Sequence, residues 1–412
     1  MTIENADKQA DINPAGSSTG LMEPMLVSEG SRRREDLADL AVELASASAA
    51  FRAQLPSSIV SALAGLVRSM NCYYSNLIEG HNTHPIDIER ALNNDYSTDP
   101  EKRDLQLEAK AHIIVQRWID NGAGRGRVAQ PEFLCEMHRL FCEELPESLL
   151  FVEDPKTGER FPVVPGELRK RHVQVGRHIA IHPDDVPRFL ARFEQAYDKL
   201  SRTASIIAMA AAHHRLLWIH PFLDGNGRVA RLMSHAMLLE TLDTGGIWSV
   251  ARGLARNEKE YKIHLANCDL PKRNDLDGRG TLSEEALIAF TAFFLKTCLD
   301  QVNFMRTLVE PEALRKRIAQ WAEKKTKEGE LPAKARLVLE AILYRGELPR
   351  GDVPGLVGLT ERQARRITSA LLDMDVIESD GPKAPLKMSF PAKLAHEWMP
   401  GLFPEKPSDD VA

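Results

Sequence analysis

The chain has 412 residues, of which 43% are hydrophobic and 27% charged, and its formal net charge at pH 7 is -6. This length predicts two or three domains with sizeable cores, and the acidic balance excludes a globally basic surface for nucleic acid. The five cysteines are scattered and form no Cys-x-x-Cys pair, which favours reduced thiols in the cytoplasm over a disulfide framework or a zinc site.

The N-terminal stretch MTIENADKQADINPAGSSTG has neither a basic start nor an apolar core, so it does not resemble a signal peptide. Its polar composition predicts a disordered tail over residues 1–30. The most apolar stretch, ASIIAMAAAHHRLLWIHPFL, is interrupted by His213, His214 and Arg215, which favours a buried helix over a membrane span. We therefore predict a cytoplasmic protein without membrane contact.

Helical periodicity dominates residues 31–125. Apolar residues recur at three- and four-residue spacing in LADLAVELASASAAF and IVSALAGLVRSM, and LQLEAKAHIIVQRWI is amphipathic. The glycines of NGAGRGR end this pattern. A new helix is predicted from PEFLCEMHRLFCEEL, because proline suits the first turn of a helix.

The segment PGELRKRHVQVGRHIAIHP departs from the helical pattern. His172, Gln174 and Gly176 alternate with Val173 and Val175, which predicts a short hairpin. Further helices are predicted in DDVPRFLARFEQAYDKL, TASIIAMAAAHHRLLWI, RVARLMSHAMLLETL and TLSEEALIAFTAFFLKTCLDQVNFM.

Residues 312–330 are predicted to form a linker helix or hinge, in which the charged stretch EKKTKEG indicates the hinge. Beyond it, residues 331–400 contain three helix-like pieces and then a β pair bent by glycine and proline. This order predicts a winged helix-turn-helix, followed by a tail over residues 401–412.

Three arginines, Arg362, Arg365 and Arg366, lie near the start of the predicted recognition helix. DNA could contact such a helix in the major groove. The neighbouring acidic residues offset these cations, so packing on the rest of the chain and binding of a protein stay open as alternatives.

The stretch HPFLDGNGRVAR, from His220 to Arg231, concentrates groups that handle phosphate. Gly225 and Gly227 allow a sharp turn at a helix N-terminus, where free amides and the helix dipole attract anions. Arg228 and Arg231 lie three residues apart on one helix face, and both can bind phosphate oxygens with forked donors. So many positive groups indicate a di- or triphosphate ligand.

Two further groups point to a transfer reaction. Asp224 is a natural magnesium ligand, because Mg²⁺ binds through one or two carboxylates plus phosphates. His220 can accept the proton of a hydroxyl that attacks a phosphate. The set predicts transfer of a nucleotide or phosphoryl group to a hydroxyl, and neither a Walker-type nor a Rossmann-type glycine pattern is present in it.

The stretch matches, at every defining position, the motif HxFx(D/E)GNGRxxR of Fic-domain proteins, and the chain resembles that family over about Arg32 to Pro311. The predicted hairpin resembles the family's flap, which docks the target segment. NEKEY resembles the segment that lines the adenine pocket, and SNLIEG matches the inhibitory motif (S/T)xxxE(G/N). The flap residues are Val173, Gln174, Val175 and Gly176, and the pocket residues are Asn257 and Tyr261.

The resemblance implies a mainly α-helical fold, with a Fic catalytic core over residues 126–311 and a small β-hairpin flap. An N-terminal helical region would carry an inhibitory helix, and a winged helix-turn-helix would follow the core. The implied enzyme is a protein adenylyltransferase that uses ATP and Mg²⁺ to move AMP to a Ser, Thr or Tyr hydroxyl. By motif position, His220 would be the base, Asp224 the metal ligand, and the phosphates would be bound by Gly225, Asn226, Gly227, Arg228 and Arg231.

The inhibitory motif contains Ser75 and Glu79. A Glu79 carboxylate paired with Arg231 would compete with the γ-phosphate for the same donors, so we expect a self-inhibited enzyme. Removal of AMP from a target, transfer of another phosphate-containing group, and a DNA-binding regulator whose core only senses nucleotide are alternatives. The sequence names neither the target protein, which could be the chain itself, nor the oligomeric state, for which a homodimer is one option.

Overall fold

The computed structural model of the chain describes residues 14–154 and 157–404. It is mainly α-helical, with 62% helix, as the sequence predicted. The α-helices in the described residues are Arg34–Ala53 (α1), Ser57–Ile78 (α2), Pro85–Leu92 (α3), Pro100–Trp118 (α4), Pro131–Glu143 (α5), Val186–Tyr197 (α6), Arg202–Ile219 (α7), Asn226–Leu242 (α8), Val250–Arg256 (α9), Glu258–Cys268 (α10), Glu284–Leu308 (α11), Pro311–Lys327 (α12), Ala335–Arg345 (α13), Val353–Val357 (α14), Glu361–Asp373 (α15) and Ala395–Trp398 (α16).

The described strands are short and form three small antiparallel sheets. The first two are the hairpins Phe151–Glu153 (β1) with Arg160–Pro162 (β2), and Gln174–Val175 (β3) with His178–Ile179 (β4). In the third, Leu386–Met388 (β7) lies between Glu347–Leu348 (β5) and Ile377–Glu378 (β6). The β3–β4 hairpin occurs where the alternation of valines predicted it. The β1–β2 hairpin was not predicted, because a three-residue strand is too short to show a period.

Helices α7 and α8 pack against each other at the centre of the fold, and the motif lies in the turn between them. Helix α7 is buried on nearly every side, because its sequence is apolar and rich in alanine. Arg215 inside it is 0% exposed, and its Nε and Nη2 donate to the main-chain oxygen of Pro24 at 3.2 and 2.8 Å. This hydrogen bonding makes a buried charge tolerable within the helix.

Helix α11 is the described helix that by itself is long and apolar enough to cross a membrane, and 56% of its most apolar window is buried inside the fold. Helices α1 and α2 would be long and apolar enough only if the two together formed one span. Their axes are bent by 117° relative to each other. Helix α11 packs against α1, α7, α9 and α10, which are the contacts of a core helix.

Residues 14–30 do not form the disordered tail that the composition predicted. Met22, Met25 and Val27 are at most 3% exposed, and the Tyr197 hydroxyl donates to the Met25 oxygen at 2.8 Å. Three apolar side chains spaced among polar residues show no period in the sequence, yet they bury well against preformed helices. Residues 1–13 of the predicted tail lie outside the described residues.

The charged stretch that predicted a hinge is mostly the last turn of α12, which extends to Lys327. Its lysines suit a helix C-terminus, where cations complement the dipole. The chain turns only afterwards, at Gly329, with φ of 81°. The linker is therefore a helix over most of this stretch, and the turn follows it.

The C-terminal unit, residues 331–404, contains α13 to α16 and the β5–β7–β6 sheet. Thr360 and Gln363 form the expected capping box at the start of α15. The winged-helix assignment stays a prediction. Residues 401–404 are not a free tail, since Leu402 is 0% exposed; residues 405–412 lie outside the described part of the chain.

The C-terminal unit contacts α2 near both of its ends. At the first end, the Ser58 hydroxyl donates to the Gly346 oxygen at 2.8 Å. At the other end, the Tyr74 hydroxyl donates to the Leu402 oxygen at 3.1 Å, and the rings of Tyr73 and Phe403 meet edge to face at 5.8 Å. The position of α2 therefore depends on the C-terminal unit as well as on the helical core.

Replacing Tyr74→Phe should lower the free energy of unfolding by about 1 to 3 kcal/mol, because a buried carbonyl loses its donor while the ring packing stays. Urea unfolding followed by circular dichroism measures this change. The control is Tyr344→Phe, at a side chain that is 88% exposed, which should leave the midpoint unchanged. Equal midpoints for both variants would contradict the assigned contact.

Candidate active site

The turn between α7 and α8 has two residues in left-handed conformations. His220 ends α7 with φ of 52° and ψ of 62°, and Gly225 precedes α8 with φ of 78°. The left-handed region is unfavourable for a residue with a side chain, so His220 must be held by its surroundings.

Asn226 closes this turn through its side chain. Its Oδ1 accepts from the Phe222 amide at 2.9 Å, and its Nδ2 donates to the Phe222 oxygen at 2.8 Å. The sequence predicted a phosphate contact for Asn226, but the side-chain amide is used inside the loop. A phosphate at this position would meet its main-chain amide instead.

The start of α8 is an anion cradle, because the first amides of a helix have no carbonyl partner one turn earlier. Gly227 leaves this cradle open. A Cβ atom at position 227 would collide with Glu79 Oε1 and would lie 3.1 Å from Arg231 Nη1. The Glu79 carboxylate therefore occupies the space over the cradle that the missing side chain leaves.

Arg231 is bound by the last turn of α2. Its Nη2 donates to Glu79 Oε1, its Nε donates to the Ser75 hydroxyl at 2.8 Å, and its Nη2 lies 3.2 Å from the Ser75 oxygen. Burial alone would raise the pKa of Glu79, but Arg231, together with Arg228 and His81, outweighs burial and holds that pKa below its usual range. The structure thus brings together Ser75, Glu79 and Arg231, and the carboxylate is charged at neutral pH.

Arg228 lies beside Glu108 of α4. Its Nη1 lies 3.8 Å from Glu108 Oε1, and its guanidinium lies 4.9 Å from the centre of the Phe141 ring. The second oxygen of Glu108 is 2.7 Å from His81 Nδ1, and this hydrogen bond raises the pKa of His81. The sequence did not indicate that Glu108 and His81 lie next to Arg228. A glutamate on an amphipathic helix gives no sign of the distant residue that it will contact.

His220 is buried at the end of α7. Its side chain is buried, its Nδ1 lies 3.3 Å from the Leu217 oxygen, and its Nε2 has no hydrogen-bond partner among the described residues. Burial, and after it the charge of Arg169, lowers the pKa of His220 to about 3. The imidazole is neutral at pH 7, and with the proton on Nδ1 the Nε2 lone pair is free to accept another.

Asp224 is exposed at the mouth of this turn, close enough to Arg228 for the two charges to interact. An exposed carboxylate of this kind fits a Mg²⁺ ion, which takes most of its other ligands from phosphate and water. In the described part of the chain, no group of three or more His, Cys, Asp or Glu side chains could hold a metal ion by itself.

His138 supports the turn from α5. Its ring stacks on Phe222 with centroids 4.1 Å apart, and its Nδ1 accepts from the Gly166 amide at 2.9 Å. The sequence did not indicate this contact of His138 with the motif either, because a lone histidine on an apolar helix face is not distinctive of a functional site. His138 holds Phe222 of the motif against Gly166, which lies in the segment that leads to the β3–β4 hairpin.

The four predicted flap residues do not share one environment. Val173 is 0% exposed and packs in the core, whereas Val175 is 40% exposed. Gly176 forms the turn with φ of 59° and accepts from Gln174 Nε2 at 2.8 Å. Val173 therefore offers no side chain to a target, because only the tip of the hairpin projects beyond the core, and the role of these four residues as a target-docking flap stays a prediction.

Asn257 and Tyr261 lie in different environments, and their roles in nucleotide binding stay predictions. Tyr261 is 2% exposed, its hydroxyl lies 2.7 Å from His213 Nε2, and burial raises its pKa to about 12. It belongs to the core and forms no open wall for an adenine ring. Asn257 is exposed between α9 and α10, and its Nδ2 donates to the Gly253 oxygen at 2.9 Å.

Residues 129–238 match the model of the Fic/DOC family. The chain therefore contains a segment of the Fic/DOC type at these residues. The matched segment runs from just before α5 into α8, and it includes the hairpin, His220, Arg228 and Arg231. Glu79, Ser75 and Glu108 lie outside it.

Curated relatives of the Fic domain include Protein adenylyltransferase Fic from Drosophila erecta, which is 39% identical over 80 residues. The protein of the same name from Drosophila melanogaster is 41% identical over 80 residues. Each match covers 19% of this chain, and the chain spans only 16% of the length of these relatives.

The chain also resembles the crystal structure of a Fic family protein from Desulfovibrio desulfuricans G20. The TM-score is 0.52 at 15% sequence identity, and the match covers 88% of this chain and 98% of the other. This likeness shows a shared fold that reaches well beyond the segment matched by the family model.

Replacing Glu79→Gly should tighten binding of a non-hydrolysable ATP analogue by about 10- to 100-fold. The reason is that a charge-assisted hydrogen bond of about 1.5–3 kcal/mol no longer competes for Arg231. Isothermal titration calorimetry measures the affinity, with the double variant Glu79→Gly, Arg231→Ala as the control that should lose the gain. Equal affinities for the native chain and Glu79→Gly would show that the carboxylate does not block the cradle.

Proposed function

We propose that the chain is a protein adenylyltransferase that moves AMP from ATP to a Ser, Thr or Tyr hydroxyl of a protein. The observation that carries this proposal is the Glu79 carboxylate, an anion of the chain itself that lies over Gly227 and binds Arg231. A cradle that holds a carboxylate in this way is built for an anionic ligand. The adenylyltransferase names of the Drosophila relatives support a nucleotide as that ligand.

In the proposed reaction, the target hydroxyl oxygen forms a bond to the α-phosphorus of ATP. The bond between that phosphorus and the oxygen bridging to the β-phosphate breaks, and pyrophosphate leaves. The hydroxyl proton passes to Nε2 of His220, which is the ring nitrogen without a partner. The low pKa of His220, caused first by burial, keeps this nitrogen unprotonated before the reaction.

The phosphates would bind along the start of α8. The main-chain amides of Gly225, Asn226 and Gly227 would receive the α- and β-phosphates, Arg228 the β-phosphate, and Arg231 the γ-phosphate. Asp224 would hold a Mg²⁺ ion, which when bound would offset the negative charge of the phosphates.

Glu79 would act as an intramolecular brake. The carboxylate and the γ-phosphate need the same guanidinium donors, so ATP could bind only in a shifted and unproductive position while Glu79 stays on Arg231. Release of the last turn of α2 would restore the cradle.

A protein target would dock along the β3–β4 hairpin, as an added strand whose main chain pairs with the hairpin edge. The C-terminal unit favours this enzyme over a DNA-binding regulator, because part of the positive charge of its predicted recognition helix and wing is locally compensated. Arg365 pairs with Glu361, and Lys387 with Asp380. Surfaces with such compensated charge attract phosphate backbones weakly.

Incubation of the Glu79→Gly variant with ATP and Mg²⁺ should add the mass of one AMP group or more to the chain, because Arg231 is then free for the γ-phosphate. Intact-mass spectrometry measures this gain, with a protein mixture as a second source of hydroxyls and ATP labelled in its α-phosphate as the tracer. The native chain should show far less transfer.

The control for chemistry is the double variant Glu79→Gly, His220→Ala, which keeps the open cradle but lacks the base. Loss of transfer in this protein would support His220 as the base. Absence of transfer from Glu79→Gly to itself and to every protein in the mixture would contradict the proposed function.

The pH dependence of the Glu79→Gly enzyme should reflect the lowered pKa of His220. Because burial lowers that pKa to about 3, the imidazole stays neutral and competent as a base until the pH falls well below 5. A base with the ordinary histidine pKa of about 6.5 would lose most of its activity between pH 8 and 5. The rate of AMP transfer at saturating ATP, measured across this range, should therefore stay nearly constant, and a fall centred near 6.5 would contradict the assignment.

A further inference from the structure

Arg169 is a buried cation between the hairpin and the motif, and nothing in the proposed reaction uses it. Its side chain is 4% exposed. The guanidinium donates to four main-chain oxygens, and the Arg169 amide donates to a fifth, that of Pro221 at 2.9 Å. Among the guanidinium contacts, Nε donates to the His220 oxygen at 2.7 Å, and Nη1 donates to the Arg171 oxygen at 2.8 Å. Nη2 donates to the Ile181 oxygen at 2.6 Å and to the Ile219 oxygen at 3.4 Å.

These contacts fix the backbone on both sides of the base. The carbonyls of Ile219, His220 and Pro221 all accept from Arg169. These carbonyls belong to His220 and its two neighbours. The φ of His220 is 52°, and this conformation costs a residue with a side chain about 1–2 kcal/mol. Holding consecutive peptide groups in place fixes the direction in which the imidazole leaves the main chain.

The same guanidinium also holds the two ends of the hairpin segment. Arg171 lies just before β3 and Ile181 just after β4, and both of their carbonyls accept from Arg169. On the proposed function, the hairpin delivers the target hydroxyl and His220 accepts its proton. A rigid group bonded to both elements sets the distance between them, and a misplacement of about 1 Å in such a site costs roughly 100-fold in rate.

We infer that Arg169 is the positioning residue of the site: it holds the base in its left-handed conformation and in fixed relation to the hairpin, without touching the substrate. This inference rests on the proposed function for its catalytic meaning. Its structural part, the hold on His220, can be measured without any reaction.

The charge of Arg169 provides an independent readout. The charged and titratable groups that face His220 are Arg169, His178 on β4 and Glu79 at the end of α2. After burial, Arg169 is the largest influence that lowers the pKa of His220. Burial lowers the pKa of Arg169 itself to about 10, so the guanidinium stays charged at neutral pH. Removal of this charge should raise the pKa of His220 toward its ordinary value.

The experiment compares Arg169→Gln, Arg169→Lys and the control Lys170→Gln in the full chain. Lys170 is the adjacent cation, and its side chain is 82% exposed. Histidines are labelled with ¹³C and ¹⁵N, and the His220 signal is assigned by its loss in His220→Ala. Thermal unfolding of each variant shows whether it is folded.

In the NMR titration, His220 of the native chain and of Lys170→Gln should remain neutral down to about pH 5. In Arg169→Gln it should protonate at least about one pH unit higher than in the native chain, a tenfold change. Arg169→Lys keeps the charge and should keep the low pKa, but the His220 signals should shift or broaden, because one ammonium cannot bond all four carbonyls. Identical His220 signals and titrations in all four proteins would overturn the inference.

Activity is measured in the Glu79→Gly background. Both Arg169 variants should lower kcat by about tenfold or more, while KM for ATP changes by less than about twofold, because Arg169 does not reach the phosphate cradle. Lys170→Gln should change neither. An unchanged kcat in Arg169→Lys and Arg169→Gln, or an equal loss in Lys170→Gln, would overturn the catalytic part of the inference.

The two readouts separate failure of this inference from failure of the proposed function. Absence of AMP transfer from Glu79→Gly itself would refute the function, whereas the NMR titration would still decide whether Arg169 holds His220. If Arg169→Gln does not fold, Arg169→Lys decides alone: a reduced kcat with altered His220 signals supports the inference, and native values overturn it.

Discussion

The ion pair between Glu79 and Arg231 is the interaction on which the state of the site depends. It places a carboxylate over Gly227 in the first turn of α8, and it gives the buried guanidinium of Arg231 a charged partner. The pair also fixes the last turn of α2 to the motif helix. One interaction thus closes the anion site and joins the N-terminal helices to the Fic domain.

The site buries three arginines, and each is stabilised differently. Arg231 has a carboxylate within hydrogen-bond reach, Arg228 has Glu108 at 3.8 Å and an aromatic ring, and Arg169 has carbonyl oxygens. Buried charges are tolerated only when such partners replace water. Burial, and after it the charge of Arg169, lowers the pKa of His220, so the cation that holds the backbone of the turn also favours a neutral imidazole.

The sequence predicted the parts of the site that depend on local chemistry. The glycines of the motif required a turn at a helix start, the spacing of Arg228 and Arg231 put both on α8, and the alternation of valines gave the hairpin. What it could not predict depends on burial. The exposure of Val173 and Tyr261, the internal hydrogen bonds of Asn226, and the packing of residues 14–30 are set by segments far away in the chain. Glu108, His138 and Arg169 acquire roles only when other elements fold against them.

The segment that matches the family model, residues 129–238, contains the groups for chemistry but not those that would restrain it. Ser75 and Glu79 end α2, a helix that the C-terminal unit contacts near both of its ends. A helix is stiff along its axis, so a displacement at Ser58 or Tyr74 is transmitted to the carboxylate at its end. The strength of the proposed brake is therefore a property of the whole chain. Two proteins with the same motif can differ in activity because their α2 helices are held differently.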